Sequence, residues 1–210
     1  MKGRFLILVF VLSALVYSLV QELHYSVWIK PLPVLFCFLI LLWNQSWSPP
    51  TAKIVLVGLV ISMVGDIALD LSATTLGIGI FTLVMSLYGV ALYKANKDLS
   101  ASTLIPTLLV FGGIYAMMYP YLADRKVSAA IYQLVLIWMV WRGATMLIWN
   151  TKNSSPTTSQ KWLLFLGVLG IAMNGVLYGV DLYLLPIPRD LVIHSYYFGQ
   201  LLLVLGLIKR

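Results

Sequence analysis

Eight stretches of this chain are apolar over nearly their whole length. They cover approximately 5–21, 31–47, 54–72, 76–93, 103–120, 128–149, 161–183 and 187–208. A helix needs roughly 17–25 mostly apolar residues to cross the hydrocarbon of a bilayer. Inside it, backbone polar groups find no partners except one another. Each segment therefore reads as a transmembrane helix. Composition agrees, because 10% of the residues are charged, against about 25% in soluble domains. The expected fold is all-α, a polytopic membrane helix bundle of about eight transmembrane helices forming a single domain over 1–210. The second segment, "KPLPVLFCFLILLW", is short and flanked by proline. Pro106 and Pro120 lie near the ends of the fifth, where a missing N–H is tolerated. The longest polar loop, "NTKNSSPTTSQK" at 150–161, reads as a linker.

Charge sets the expected orientation. The net charge is +7, but no basic cluster with interleaved aromatics points to nucleic acid. Lys and Arg instead gather in cytoplasmic loops. With the N-terminus inside, Lys2, Arg4, Lys53, Lys94, Lys97, Lys152, Lys161, Lys209 and Arg210 face the cytoplasm. Lys30, Arg125, Lys126 and Arg189 face the other side. That asymmetry, with an even helix count, puts both termini in the cytoplasm. The opening "MKGRFLILVFVLSALVYSL" resembles a signal peptide, but no small-residue cleavage site follows, so it reads as a retained first helix. Cys37 is the lone cysteine, which excludes an intramolecular disulfide. A bacterial inner membrane suits a chain without long extensions.

The functional question comes from "LVISMVGDIALDL", residues 59–71. An ionised carboxylate in hydrocarbon is costly, so an intramembrane acid is a candidate functional group. At ~1.5 Å per residue, Asp66 lies ~18 Å from the cytoplasmic end of its span. Asp70 follows one turn later on the same face, either as a solvated helix end or as part of a site. Asn174 and His194 fall at similar depth by the same arithmetic, and Asp181 lies nearer the outer surface. Tyr196, Tyr197 and Gln200 continue along the eighth span in "HSYYFGQ". Tyr17, Trp43, Trp47 and Trp149 fit an interfacial aromatic belt. Arg142 in "VWRGA" has three readings: it snorkels, it pairs with Asp66, or it holds an anionic headgroup.

Other chemistries lack their residues. Two histidines 170 residues apart and one cysteine give no metal-ligand spacing. There is no G-x-S-x-G elbow, and no P-loop or dinucleotide-binding glycine pattern. No pair of broken helices marks a transporter, and no internal repeat is visible.

Several short motifs occur in a telling order. "KPLP" opens span two, "VGD" lies in span three, "YP" ends span five and "WR" lies in span six. "PIP" precedes span eight and "YYFGQ" lies within it. Together they resemble the YhhN-like lysoplasmalogenase family of eight-helix membrane proteins, from about Lys30 to the C-terminus. The resemblance implies hydrolysis of the vinyl-ether bond of lysoplasmalogen, giving a fatty aldehyde and glycerophosphoethanolamine or glycerophosphocholine. It puts Asp66 on the family's "GD" aspartate, the expected acid catalyst. Lys30, Tyr88, Arg142, Tyr196, Tyr197 and Gln200 fall on family-like positions and become candidates for binding substrate. Two departures mark a divergent member. Met85 stands where a span-four histidine is common, and Asn174 or Gly175 stands where a span-seven "SD" aspartate is common.

The implied reaction protonates the vinyl β-carbon and then adds water to the oxocarbenium ion. The first step needs an acid that holds a proton near neutrality, the form that apolar burial favours for a carboxyl group. Asp66 fits it. Asp181 or His194 is the candidate for stabilising the cation and activating water, and Arg142 or Lys30 for the phosphate. No metal or organic cofactor is required. The expected partners are a single-chain ether phospholipid and membrane lipid, the lipid entering through a lateral opening between helices. The sequence does not fix an oligomeric state. Two other classes remain open: a non-catalytic lipid-binding member of the family, and a small proton-coupled transporter in which Asp66 and His194 relay protons.

Overall fold

The computed structural model describes residues 2–20, 26–71, 73–149 and 156–209. The first helix, α1, spans Lys2–Val20, and α2 is a single turn at Ser26–Ile29. Then follow α3 (Leu32–Trp43), α4 (Pro49–Asp70), α5 (Thr74–Ala95) and α6 (Ala101–Met118). Two 3-10 turns, Tyr119–Tyr121 and Ala123–Arg125, lead into α7 (Lys126–Ile148). The chain ends with α8 (Thr158–Tyr183) and α9 (Arg189–Leu207). Among the described residues there is no β-strand beyond one isolated bridge, between Ser46 and Ile208. The eight longer helices follow the eight apolar segments. Lys152, Arg210 and residues 150–155 of the linker lie outside the described residues.

Among the described residues, six helices, α4 to α9 with their flanking turns, are long and apolar enough to cross a membrane. The chain reads as an integral membrane protein. The exposed Leu19, Leu109, Met117 and Leu134 give it an outer apolar surface that a water-facing monomer rarely carries. α3 is shorter than expected. Pro31 and Pro33 confine its start, and at ~1.5 Å per residue its 12 residues rise ~18 Å. Helix starts follow local chemistry. Pro49 and Pro50 open α4, where a missing N–H removes no helical bond. Thr157 and Gln160 form a reciprocal capping box at α8, with bonds of 3.3 and 2.7 Å.

α8 and α9 form the tightest pair of the bundle. A Cβ on Gly199 would sit 2.6 Å from the Ile171 backbone nitrogen, and one on Gly167 2.7 Å from Leu203 Cα. Glycine is what lets these backbones meet. α4 packs on α5, α5 on α7, α7 on α8, and α3 against α1, α4 and α9. α6 leans chiefly on α7 and stays largely exposed. Near the C-terminus, Trp47 Nε1 donates to Gly206 O at 2.8 Å and Lys209 N to Gln45 O at 2.7 Å. At the other end α9 begins beside the end of α1, where Arg189 donates to the Tyr17 hydroxyl at 3.4 Å. The start of α1 and the end of α9 thus lie at one end of the bundle, and the aspartates of α4 lie toward the other.

Candidate active site

Asp66 and Asp70 are four residues apart on α4, so their side chains project from one face, one turn apart. Their surroundings differ. Asp66 is 1% exposed, and its Oδ2 accepts a hydrogen bond of 3.2 Å from the Tyr196 hydroxyl of α9. Tyr196 is held edge-on against Phe81 of α5, with ring centroids 5.6 Å apart. Asp70 is the salt-bridged member. Its Oδ1 lies 2.7 Å from Lys30 Nζ and 3.4 Å from an Arg189 nitrogen, with its side chain 5% exposed. Its Oδ2 is buried and has no hydrogen-bond partner among the described residues.

The turn between α2 and α3 brings Lys30 into this pair. Tyr197 pins that turn by donating to the Lys30 carbonyl at 2.7 Å. Tyr17, fully buried, packs edge-on against Tyr197 and receives the bond from Arg189. Asp70 is therefore part of a buried polar cluster rather than a solvated helix end. Tyr17 belongs to that cluster and not to an interfacial belt. Residue type alone had suggested the belt, and type does not say which way a helix faces.

This cluster forms one wall of a cavity of about 1010 Å³. Ile78 and Phe81 of α5, Ile114 of α6 and Ile131 of α7 supply apolar surface to it. Asp124, Arg125 and Asp181 line it where the loops meet at that end of the bundle. The chamber is polar on the α4 side and at the loop end, with apolar walls from α5, α6 and α7 between them, a division that suits an amphiphilic ligand.

The expected site residues divide between this cavity and other places. Asp66, Lys30, Tyr196, Asn174 and Asp181 line it. The Asn174 amide donates to Val192 O at 2.8 Å, and the exposed Asp181 accepts from the Ile187 backbone N–H at 2.9 Å. His194 does not line the cavity. It faces α1, with Nε2 3.5 Å from the Ser18 hydroxyl and its ring against Phe198. Tyr88 and Gln200 form a buried pair outside the cavity lining, the Tyr88 hydroxyl donating to Gln200 Oε1 at 2.8 Å. Met85 is buried beside them on α5.

Arg142 lies elsewhere altogether. It is fully buried near the loop between α5 and α6, donating to the carbonyls of Asn96 and Asp98. Tyr93, Trp138 and Trp141 surround it, with ring centroids 5.3, 5.8 and 5.4 Å from the guanidinium carbon. Its head therefore does not reach water, does not meet Asp66 and does not enter the cavity. A planar cation stacked on rings while bridging two carbonyls is a clamp on that loop.

Among the described residues no group of three or more His, Cys, Asp or Glu gathers that could hold a metal ion. The residues that sequence reasoning undervalued are Asp70, Tyr17 and Arg189. The four-residue spacing from Asp66 was the available signal for Asp70. Nothing in the sequence joined it to Lys30, 40 residues earlier.

The profile of the YhhN family matches residues 25–207, close to the span over which the motifs occur. No solved structure matches the chain. On the strength of that match over most of its length, the chain belongs to the YhhN family.

Proposed function

We propose that this protein is a lysoplasmalogenase, hydrolysing the vinyl-ether bond of a single-chain ether phospholipid in the membrane. The observation that carries the reading is Asp66, a deeply buried carboxyl group on the wall of a large, mostly apolar cavity in a helix bundle. Vinyl-ether cleavage starts with a proton delivered to carbon, and a buried acid hydrogen-bonded by Tyr196 suits that task. The apolar walls suit an alkenyl chain. Lys30 and Arg189, and Arg125 among the loops, suit the phosphate of a glycerophosphoethanolamine or glycerophosphocholine head. The reaction requires no metal or organic cofactor. With both termini cytoplasmic in a bacterial inner membrane, the cavity faces the outer leaflet.

A second reading rests on the departures from the family pattern. Asn174 uses its amide on Val192, and Met85 fills a histidine position with an apolar side chain. A non-catalytic lipid binder fits those two facts. An aldehyde-release assay separates the readings. Purified protein in detergent receives a lysoplasmalogen and, in parallel, its saturated alkyl-ether analogue. Aldehyde from the vinyl ether alone supports the enzyme. Release from neither, with lipid recovered intact on a folded protein, overturns it in favour of the binder.

A further inference from the structure

We propose that Asp70 is the second catalytic carboxylate of this site, the group that takes a proton from the attacking water. The inference rests on the vinyl-ether reading above and adds a residue to it. The family's span-seven acid is absent here, since that place holds Asn174 or Gly175. Asp181 is exposed and accepts the Ile187 N–H, while His194 faces α1. Asp70 is the carboxylate that shares a helix face and the cavity wall with Asp66, and side chains four apart on a helix are neighbours.

Three features suit it to the role. Its side chain is 5% exposed, so bulk water does not compete for it. Its Oδ1 is held by Lys30 and Arg189, which fixes the carboxylate in place. Among the described residues its Oδ2 has no hydrogen-bond partner, and it belongs to a residue of the cavity lining. A buried acceptor without a donor needs an explanation, and a substrate water is one. Asp66 has a phenol as its hydrogen-bond partner, so the two acids differ in what surrounds them and can differ in role.

The proton balance closes on these two residues. Asp66 gives its proton to the vinyl β-carbon, and the ether oxygen stabilises the cation formed on the α-carbon. Water adds to the α-carbon, and its proton passes to Oδ2 of Asp70. In the resulting hemiacetal the bond from the α-carbon to the glycerol oxygen breaks. Asp70 returns its proton to that oxygen, and the hemiacetal hydroxyl proton restores Asp66 as the carbonyl forms. The products are one aldehyde and one alcohol, with both side chains as they began.

The test uses deuterium. An oxocarbenium ion that water cannot trap loses a β-proton and reverts to vinyl ether, so substrate recovered from D2O carries deuterium at the β-carbon. A lysoplasmalogen with an ethanolamine head is incubated in D2O with wild type, Asp70→Asn and Asp66→Asn. Asp70→Asn is expected to cut aldehyde release by ~100-fold or more while the recovered substrate gains deuterium. Asp66→Asn is expected to show neither. Because removing Asp70 leaves Lys30 unpaired, the double variant Lys30→Met/Asp70→Asn is run beside it. The ratio of exchange to release does not depend on how much protein folds. Wild-type release by Asp70→Asn, or loss of exchange together with release in both variants, overturns the assignment. A wild type that neither releases aldehyde nor exchanges deuterium removes the vinyl-ether reading first, and this inference with it.

Discussion

Asp66 and Asp70 leave the same helix face one turn apart, and their neighbours make them different. Asp70 meets two cations and Asp66 a phenol. Breaking a buried ion pair from one side strands a charge and costs about 3–5 kcal/mol, more than deleting both partners together. Lys30→Met is therefore expected to lower the unfolding temperature in detergent markedly, and Lys30→Met/Asp70→Asn to lower it less. Equal losses would mean that the pair is not coupled. Tyr196→Phe removes one hydrogen bond from Asp66 and keeps the ring against Phe81. A bond of that kind is worth about 1 kcal/mol, so kcat/KM for aldehyde release should fall by several-fold to about tenfold without loss of folding. Asp66 was legible in the sequence because depth follows from counting residues along a span. The Lys30–Asp70 contact was not, since counting gives a level in the membrane and says nothing of the direction in which a helix faces. The same blindness put Tyr17 in an aromatic belt.

At the scale of elements, glycine placement separates packed helices from loosely held ones. On α9, a Cβ at Gly199 meets the backbone of α8, whereas one at Gly112 on α6 meets nothing within 4 Å. Gly199→Ala should therefore destabilise by roughly 1–3 kcal/mol, as overpacking does. Gly112→Ala should be neutral or stabilising by about 0.5–1 kcal/mol, as expected for helix-interior glycine. Thermal unfolding of the two variants checks the contrast. Arg142 gives a second one. Its clamp on Asn96 and Asp98 lies away from the cavity. Arg142→Met should cost about 2–3 kcal/mol of stability by freeing two carbonyls from a charged donor. The KM of the folded fraction should stay unchanged, whereas a raised KM would restore Arg142 to the phosphate. Helix positions themselves were readable, because long apolar runs bounded by proline and polar loops leave few choices. The shortness of α3 was foreshadowed by Pro31 and Pro33.

For the whole molecule, the start of α1 and the end of α9 lie together, opposite the cavity. Lys53, Lys94, Lys97, Lys161 and Lys209 lie at that same end, on the loops and helix ends away from the cavity. The positive-inside rule predicts that this end is cytoplasmic. A fluorescent protein fused to the C-terminus should therefore fluoresce in a bacterial host, and alkaline phosphatase fused there should be inactive. The reverse pattern would invert the orientation. That same arrangement gathers Lys30 from the α2–α3 turn, Asp66 and Asp70 from α4, and Arg189 and Tyr196 from α9 into one chamber. The proposed hydrolysis depends on Asp66 acting there as the proton donor. The most direct measurement is aldehyde release from lysoplasmalogen by wild type and Asp66→Asn, each shown by thermal unfolding to be folded. Release by the wild type with loss of ~100-fold or more in the variant is the predicted result. Equal release by both proteins would contradict the account at its centre.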